Sequence, residues 1–258
     1  MPRHGVEMLR QAETVELLVE RGFASVLDLA RHFDVSESTI RRSLKELESR
    51  GLVRRTHGGA LAIRPNDALS DLHETEHRDE KRAIGQAMAQ RILPGQTVLL
   101  DRGSTTLEVA RHIDAPRVTV VTNDLLIGTT IARQQNAHLV FVGGEVLPNE
   151  YAMWGPTSIQ QLENLRVNVA VFGADTVTEN GIYNTSSYEI EVKRKMRAIA
   201  SEAFFVADSS KFGREALFRV FDFDAFTAGI TDERMPAMRA AQFPVPLIIS
   251  RLSPRPNG

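Results

Sequence analysis

Apolar residues near the start of the chain recur at helical spacing. Residues 7 to 20 read as a helix with Leu17 and Leu18 central to its apolar side, and Gly22 follows where a helix stops. Val26, Leu29, Ala30 and Phe33 repeat the spacing, Asp34 and Val35 make a tight connection, and Ser36 caps a further helix that turns Ile40, Leu44 and Leu47 inward. Gly51 ends that helix. Leu52 to His57 then alternates as a short strand does, and Gly58-Gly59 turns the chain back.

The stretch from Arg64 to about Asp79 is polar, holds Pro65 and Asn66, and has little periodicity, as expected of a linker and the start of a joining helix. We therefore expect a small domain over 1–60, a linker over 61–75 and a larger domain over 76–258. In the larger part, a helix at 80 to 92 is followed by short apolar runs at Thr97 to Leu100, Val118 to Thr122, Leu139 to Val142, Val167 to Phe172, Ala203 to Ala207 and Leu247 to Ile249. Helix-length segments separate them. That alternation predicts an α/β fold with a mostly parallel sheet and crossover connections.

Composition narrows the picture. The chain has 258 residues, 42% hydrophobic and 25% charged, the profile of a soluble globular protein. No apolar run approaches membrane-spanning length and no secretory signal opens the chain, so a cytoplasmic location is expected. The absence of cysteine excludes disulfide scaffolds, thiolate nucleophiles and cysteine-ligated zinc. Net charge is −2, but residues 36 to 64 carry seven Lys/Arg against three Glu, and a segment of that kind suits a polyanion.

A helix that enters the DNA major groove needs short polar residues at its start and cations along its exposed face. Ser36, Ser38, Thr39, Arg41, Arg42 and Lys45 meet that need, and Arg54, Arg55 and His57 lie on the strand that follows. Taken alone, such a charged helix face is more often merely solvated. The order of helix, helix, capped basic helix and basic strand ending in Gly-Gly makes it a winged helix-turn-helix. Through VSESTIRRSLKELESRGLVRRTHGGA the chain resembles the DeoR family of bacterial transcription regulators. The resemblance implies that those helix residues lie at or near operator DNA, with Arg54, Arg55 and His57 in the wing. Ser43 stands where the family usually has Asp after the paired arginines, which bears on how an arginine is oriented.

In a parallel α/β sheet, ligands sit beyond the carboxyl ends of the strands. Thr97 to Leu100 runs into Asp101, Arg102, Gly103, Ser104, Thr105 and Thr106 and then a helix, an arrangement that suits phosphate but is also an ordinary capped helix start. Other strands end in Thr122-Asn123, Gly143-Gly144, Gly173-Ala174-Asp175 and Asp208-Ser209-Ser210-Lys211. This arrangement resembles the DeoR sensor domain, itself similar to ribose-5-phosphate isomerase. The resemblance implies a phosphorylated-sugar effector, with Gly103 to Thr106 on the phosphate and Asp175, Glu189 and Lys211 toward the sugar hydroxyls. The family's Gly-Ala-Asp-Gly and its further Asp are here GADTVTENG, with Thr176 and Thr178 at those points, so an atypical effector is expected.

Glu191 and Lys193 are expected on an exposed ion-pair face, and the lone tryptophan, Trp154, in a core. No metal or other cofactor is expected, since His73 and His77 have no clear third ligand. The rival reading is a sugar-phosphate isomerase using Asp175, Glu189 and Lys211, but its glycine-rich run is replaced by GIYNTSSYEIEVK. A scaffold that binds partners without DNA is disfavoured by the basic wing. The expected protein is a homo-oligomeric DNA-binding repressor of sugar-metabolism genes, without enzymatic activity.

Overall fold

The computed structural model describes residues 11, 13–15, 17–18, 23–49, 53–55, 58–62, 76–147, 150–213 and 216–252. The chain divides into two compact units, residues 1–72 and 73–258.

In the first unit, residues 13–15 and 17–18 are helical, and the rest of the predicted 7 to 20 helix lies mostly outside the described residues. Strand β1 (Phe23–Ser25) leads into α1 (Val26–His32), whose start is capped by the Ser25 hydroxyl accepting the Asp28 N–H at 3.0 Å. Asp34, at φ 50°, turns the chain tightly into α2 (Glu37–Ser49). Strands β2 (Val53–Arg55) and β3 (Gly59–Ala62) complete an antiparallel sheet in the order β1-β3-β2. The wing strand β3 thus runs two residues into the stretch expected as linker, and residues 63–75 lie outside the described ones. Leu18, Leu29, Ile40, Leu44, Leu47, Val53 and Ala60 form one buried cluster, so the helical spacing read from the sequence is the packing face.

The second unit is built on a seven-stranded, all-parallel sheet. Its strands are β4 (Thr97–Leu100), β5 (Val118–Thr122), β6 (Ala137–Phe141), β9 (Val167–Gly173), β12 (Ala200–Val206), β14 (Ala228–Asp232) and β15 (Leu247–Ser250), ordered β15-β14-β12-β9-β4-β5-β6. Successive side chains alternate between the two faces, as the strand period of two requires. Val98, Leu100, Val169, Val171 and Val206 enter one cluster, joined by Ile84 and Met88 of α3 (Arg78–Ala89), Leu107 of α4 (Ser104–His112) and Ile127 of α5 (Leu125–Gln134). Leu99, Ala170, Phe172 and Phe205 enter the other, with Leu162 of α6 (Pro156–Glu163) and Val192 and Met196 of α7 (Ile190–Ala198). Both faces are covered, which is why the strands read as continuous apolar runs.

Three features depart from the sequence reading. β14 went unread because Ile230 is its only large apolar residue: a Cβ on Gly229 would come within 2.1 Å of the Phe205 ring, so side-chain volume comes from the neighbouring strand. A small antiparallel sheet, β10 (Thr176–Thr178), β11 (Gly181–Asn184) and β13 (Phe218–Phe221), follows β9 on the chain, and its strands are too short to show a period. A two-stranded hairpin, β7 (Glu145–Val146) and β8 (Met153–Trp154), stands between β6 and α6. Among the described residues no helix is long and apolar enough to cross a membrane.

Candidate functional site

In the first unit the polar start of α2 is organised by one side chain. The Ser36 hydroxyl accepts the Thr39 N–H at 3.3 Å and lies 2.9 Å from the hydroxyls of both Ser38 and Thr39. Along the helix Arg41, Arg42 and Lys45 are exposed, and Arg41 reaches back 3.1 Å to Glu37, one turn earlier. That ion pair is exposed and weak, so it leaves the guanidinium able to exchange Glu37 for an outside anion. Ser43 is buried with Ile40 and Leu44, so it is a packing position outside the exposed cationic face. Only the backbone of Arg54 and Arg55 is described, in β2; their side chains and His57 lie outside the described residues, as does His73.

In the second unit the sheet order reverses direction between β4 and β9. From β4 the chain proceeds through β5 to β6 on one side, then returns to β9 and builds β12, β14 and β15 on the other. A switch point of this kind leaves a crevice beyond the strands' carboxyl ends. Asp101 occupies its floor, 1% exposed, where its Oδ2 receives the Gly173 N–H at 3.2 Å and pairs with the Lys193 ammonium. Lys193 also lies 3.7 Å from Glu189, one turn earlier on α7. The expectation of an exposed Glu191 and Lys193 face is therefore corrected: Glu191 is exposed, but Lys193 is 4% exposed and turned into the crevice.

Arg102 bridges the network, with Nη2 at 2.6 Å from Glu189 and Nη1 at 3.0 Å from Glu150, which sits between the hairpin strands β7 and β8. Asp175, at the end of β9, accepts the Thr185 N–H at 3.0 Å and its hydroxyl at 2.9 Å. Burial disfavours charge on all these groups; neighbouring charges override it at Arg102, Lys193 and Asp175, while at Asp101 and Glu150 burial prevails and raises the pKa. Arg102 is held above its ordinary pKa because Glu189, Glu150 and Asp175 outweigh its desolvation, and Lys193 is raised by Asp101 and Glu189 against the same penalty. Asp175 is held below the usual carboxylate range by Arg102 and the Thr185 N–H despite burial, whereas burial pushes Glu150 up against the pull of Arg102.

The phosphate-type loop lies beside this network. Gly103 precedes α4 at φ 130°, a conformation that L side chains rarely adopt, and the Thr106 hydroxyl returns to the Gly103 carbonyl at 2.7 Å. Thr106 is fully buried and so shapes the loop; Ser104 is partly exposed and Thr105 8% exposed, both in the first turn, where helix N–H groups have no partner within the helix. Thr122 is likewise buried, its hydroxyl donating to the Leu100 carbonyl at 2.8 Å and accepting the Asp124 N–H at 3.1 Å. Asn123 donates to the Met153 carbonyl at 2.7 Å and so ties the hairpin to the end of β5. The Gly143 N–H is taken by Gln161 at 3.1 Å and its carbonyl by Ser158 at 2.8 Å, and Gly144 is exposed, so these two glycines anchor α6 to the hairpin.

Lys211 belongs to a second group, beyond β12. It ends the 3-10 turn Ser209–Lys211, next to the fully buried Asp208. Lys81 of α3, 2% exposed, shares that place: burial lowers its pKa, Asp208 opposes the shift and Lys211 adds to it.

Lys81, Arg102 and Glu150 are not among the site residues read from the sequence, and Lys193 is read there only as part of an exposed face. The four-residue spacing of Glu189 and Lys193 is a signal that was present; a cation amid the apolar positions of α3 is a weaker one. Trp154, expected in a core, is half-buried, stacks edge-on against Tyr188 with ring centroids 4.9 Å apart, and lines a small cavity with Asp101, Arg102, Asn123, Glu189 and Lys193.

A helix with three exposed cations on a small winged unit and a polar crevice on a larger α/β unit define a ligand-responsive DNA-binding regulator. The DeoR-like helix-turn-helix domain matches residues 10–66 and the DeoR C terminal sensor domain matches residues 76–233. The chain belongs to the DeoR family: it is a DNA-binding transcription regulator and not an enzyme. It is similar to the transcriptional repressor AccR of Agrobacterium fabrum, 36% identical over 81% of this chain and 83% of the relative. It is also similar to the L-fucose operon activator of Haemophilus influenzae, 31% identical over 84% and 88%. The glycerol-3-phosphate regulon repressor of Escherichia coli is 28% identical over 86% and 89%. Among solved structures, ribose 5-phosphate isomerase A of Methanocaldococcus jannaschii aligns with a TM-score of 0.39 and 16% identity over 53% of this chain and 55% of that one.

Proposed function

We propose that the protein is a repressor of a sugar-metabolism operon whose grip on its operator is set by a phosphorylated sugar held in the switch-point crevice. The observation that carries this reading is the crevice itself: a helix start with open N–H groups beside a network of carboxylates and cations, in a chain that also bears a recognition helix. The phosphate is assigned to the Gly103 to Thr106 loop with Lys81 and Lys211 as cations, and the sugar to Asp175 and Glu189. The operator is assigned to Ser36, Ser38, Thr39, Arg41, Arg42 and Lys45, with Arg54, Arg55 and His57 in the wing. Two copies read two half-sites, so the working species is a homo-oligomer.

The effector acts by binding one state of the protein better than another, and the DNA feels the same difference with opposite sign. The test is a gel shift on the DNA upstream of the protein's own gene, titrated with triose, pentose and hexose phosphates and assayed in parallel for isomerisation. Release of the operator by a sugar phosphate without turnover is the expected result. Tighter binding on adding sugar phosphate would make the ligand strengthen rather than release the operator complex and overturn the proposed sign, and turnover without operator binding would reject the reading.

A further inference from the structure

Two buried polar atoms in the crevice lack a partner among the described residues, and they are of opposite kind. Asn123 is 4% exposed; its amide nitrogen is used by the Met153 carbonyl, while its Oδ1 accepts nothing. Arg102 spends its two terminal nitrogens on Glu189 and Glu150, while its buried Nε–H is undonated. Both residues line one cavity of about 10 Å³, with Trp154 and Met153 of the hairpin on its wall. An unpartnered acceptor and an unpartnered donor, on two residues that share the wall of a space the size of a single oxygen, are costly to leave unsatisfied.

We propose that Arg102 and Asn123 form a hydroxyl pocket that sets effector specificity: one hydroxyl of the bound sugar phosphate donates to Asn123 Oδ1 and accepts from Arg102 Nε. This rests on the phosphosugar reading above and narrows its ligand class. Only a group that both donates and accepts satisfies the two atoms together. An ammonium has no lone pair for Nε–H, and a carboxylate has no proton for Oδ1. A carboxylate also meets Asp101, Glu150, Asp175 and Glu189, already gathered around Arg102 and Lys193. A deoxy sugar leaves both atoms buried and unpaired. The pocket therefore selects a neutral polyol end and rejects deoxy, amino and acid analogues at one carbon. Arg102 thereby has two duties, holding two carboxylates with its fork and reading the ligand with its remaining N–H.

The test uses the full chain and its only tryptophan, Trp154, as reporter. Triose, pentose and hexose phosphates are first ranked by the change in Trp154 fluorescence and by operator release. The tightest binder is then compared with its single-deoxy, amino and acid analogues at each carbon. The expected result is one carbon at which all three replacements weaken binding by about tenfold or more. In Arg102→Lys, which keeps the charge and removes Nε–H, that penalty shrinks toward unity while the penalties at other carbons persist. Asn123→Ser provides a second variant if Arg102→Lys does not fold.

Equal binding of the parent and its deoxy analogues at every carbon would mean that water fills the pocket, and would overturn the proposal while leaving the effector reading intact. Tightest binding by an acid or amino analogue would overturn it too, as would a penalty unchanged in both variants. Failure of every phosphorylated compound to bind would reject the effector reading, and the proposal with it.

Discussion

The side chains that hold the crevice together are charged and buried, so each depends on its partner. Lys193 and Asp101 are each less than 5% exposed, so removing one leaves the other's charge without compensation. Lys193→Met should therefore destabilise the fold by about 3–5 kcal/mol in denaturant unfolding; a loss below about 1 kcal/mol would mean that Asp101 finds another partner. Lys81 gives a pH signature. Burial holds its pKa below the ordinary 10.5, so the folded chain releases this proton at a lower pH than the unfolded chain does. In the interval between the two values the unfolded state binds more protons, so this group makes stability rise with pH. If Lys81 meets the phosphate as proposed above, its positive charge is lost to the ligand over the same interval. Sugar-phosphate affinity should thus fall in the alkaline range before an ordinary lysine titrates, and Lys81→Arg should hold it level. A wild-type affinity flat up to about pH 10 would remove Lys81 from the site.

At the scale of elements, packing between neighbouring strands decides which residues a strand can carry. Gly229→Ala puts a methyl where the Phe205 ring lies, so it should destabilise by about 1–3 kcal/mol, with Phe205→Leu in the same chain recovering part of the loss. Additive losses in thermal unfolding would show that the ring and the glycine are not coupled. This pairing also explains what could be read beforehand. β4 and β5 were placed to the residue because each supplies its own branched apolar side chains to both faces. β14 was not, since part of its share of the core belongs to Phe205. The loop Gly103 to Thr106 is legible as a helix start and Asp175 as a polar residue past a strand end, while Glu189 enters only through the family resemblance. Arg102, Glu150 and Lys193 are not legible, because their roles depend on which strands become neighbours. The β9-against-β4 adjacency joins residues about seventy positions apart, as the Asp101 and Gly173 bond does, and no local pattern encodes that.

The whole molecule joins a basic reader to a larger acidic unit: residues 1 to 64 hold eleven Lys/Arg against nine Asp/Glu, and the remainder twenty against twenty-four. Operator affinity should fall steeply with salt, and Lys45→Ala, if Lys45 meets a phosphate, should lower the log–log slope by about 1 per recognition helix while weakening all DNA sequences alike. Loss confined to the operator would make Lys45 a base-reading residue instead. Light scattering should give a mass at least twice that of one chain. A monomer that still binds a two-half-site operator tightly would reject the proposed assembly.

The crevice at the strand switch point has a further consequence, in descent rather than in energy. The residues assigned to the ligand stand on loops past strand ends or at helix starts, while the strand interiors are occupied with packing. A duplicated copy of this gene can therefore exchange a partly exposed loop residue such as Ser104, which the core does not enclose, and change the signal it answers to while the sheet beneath keeps its packed interior.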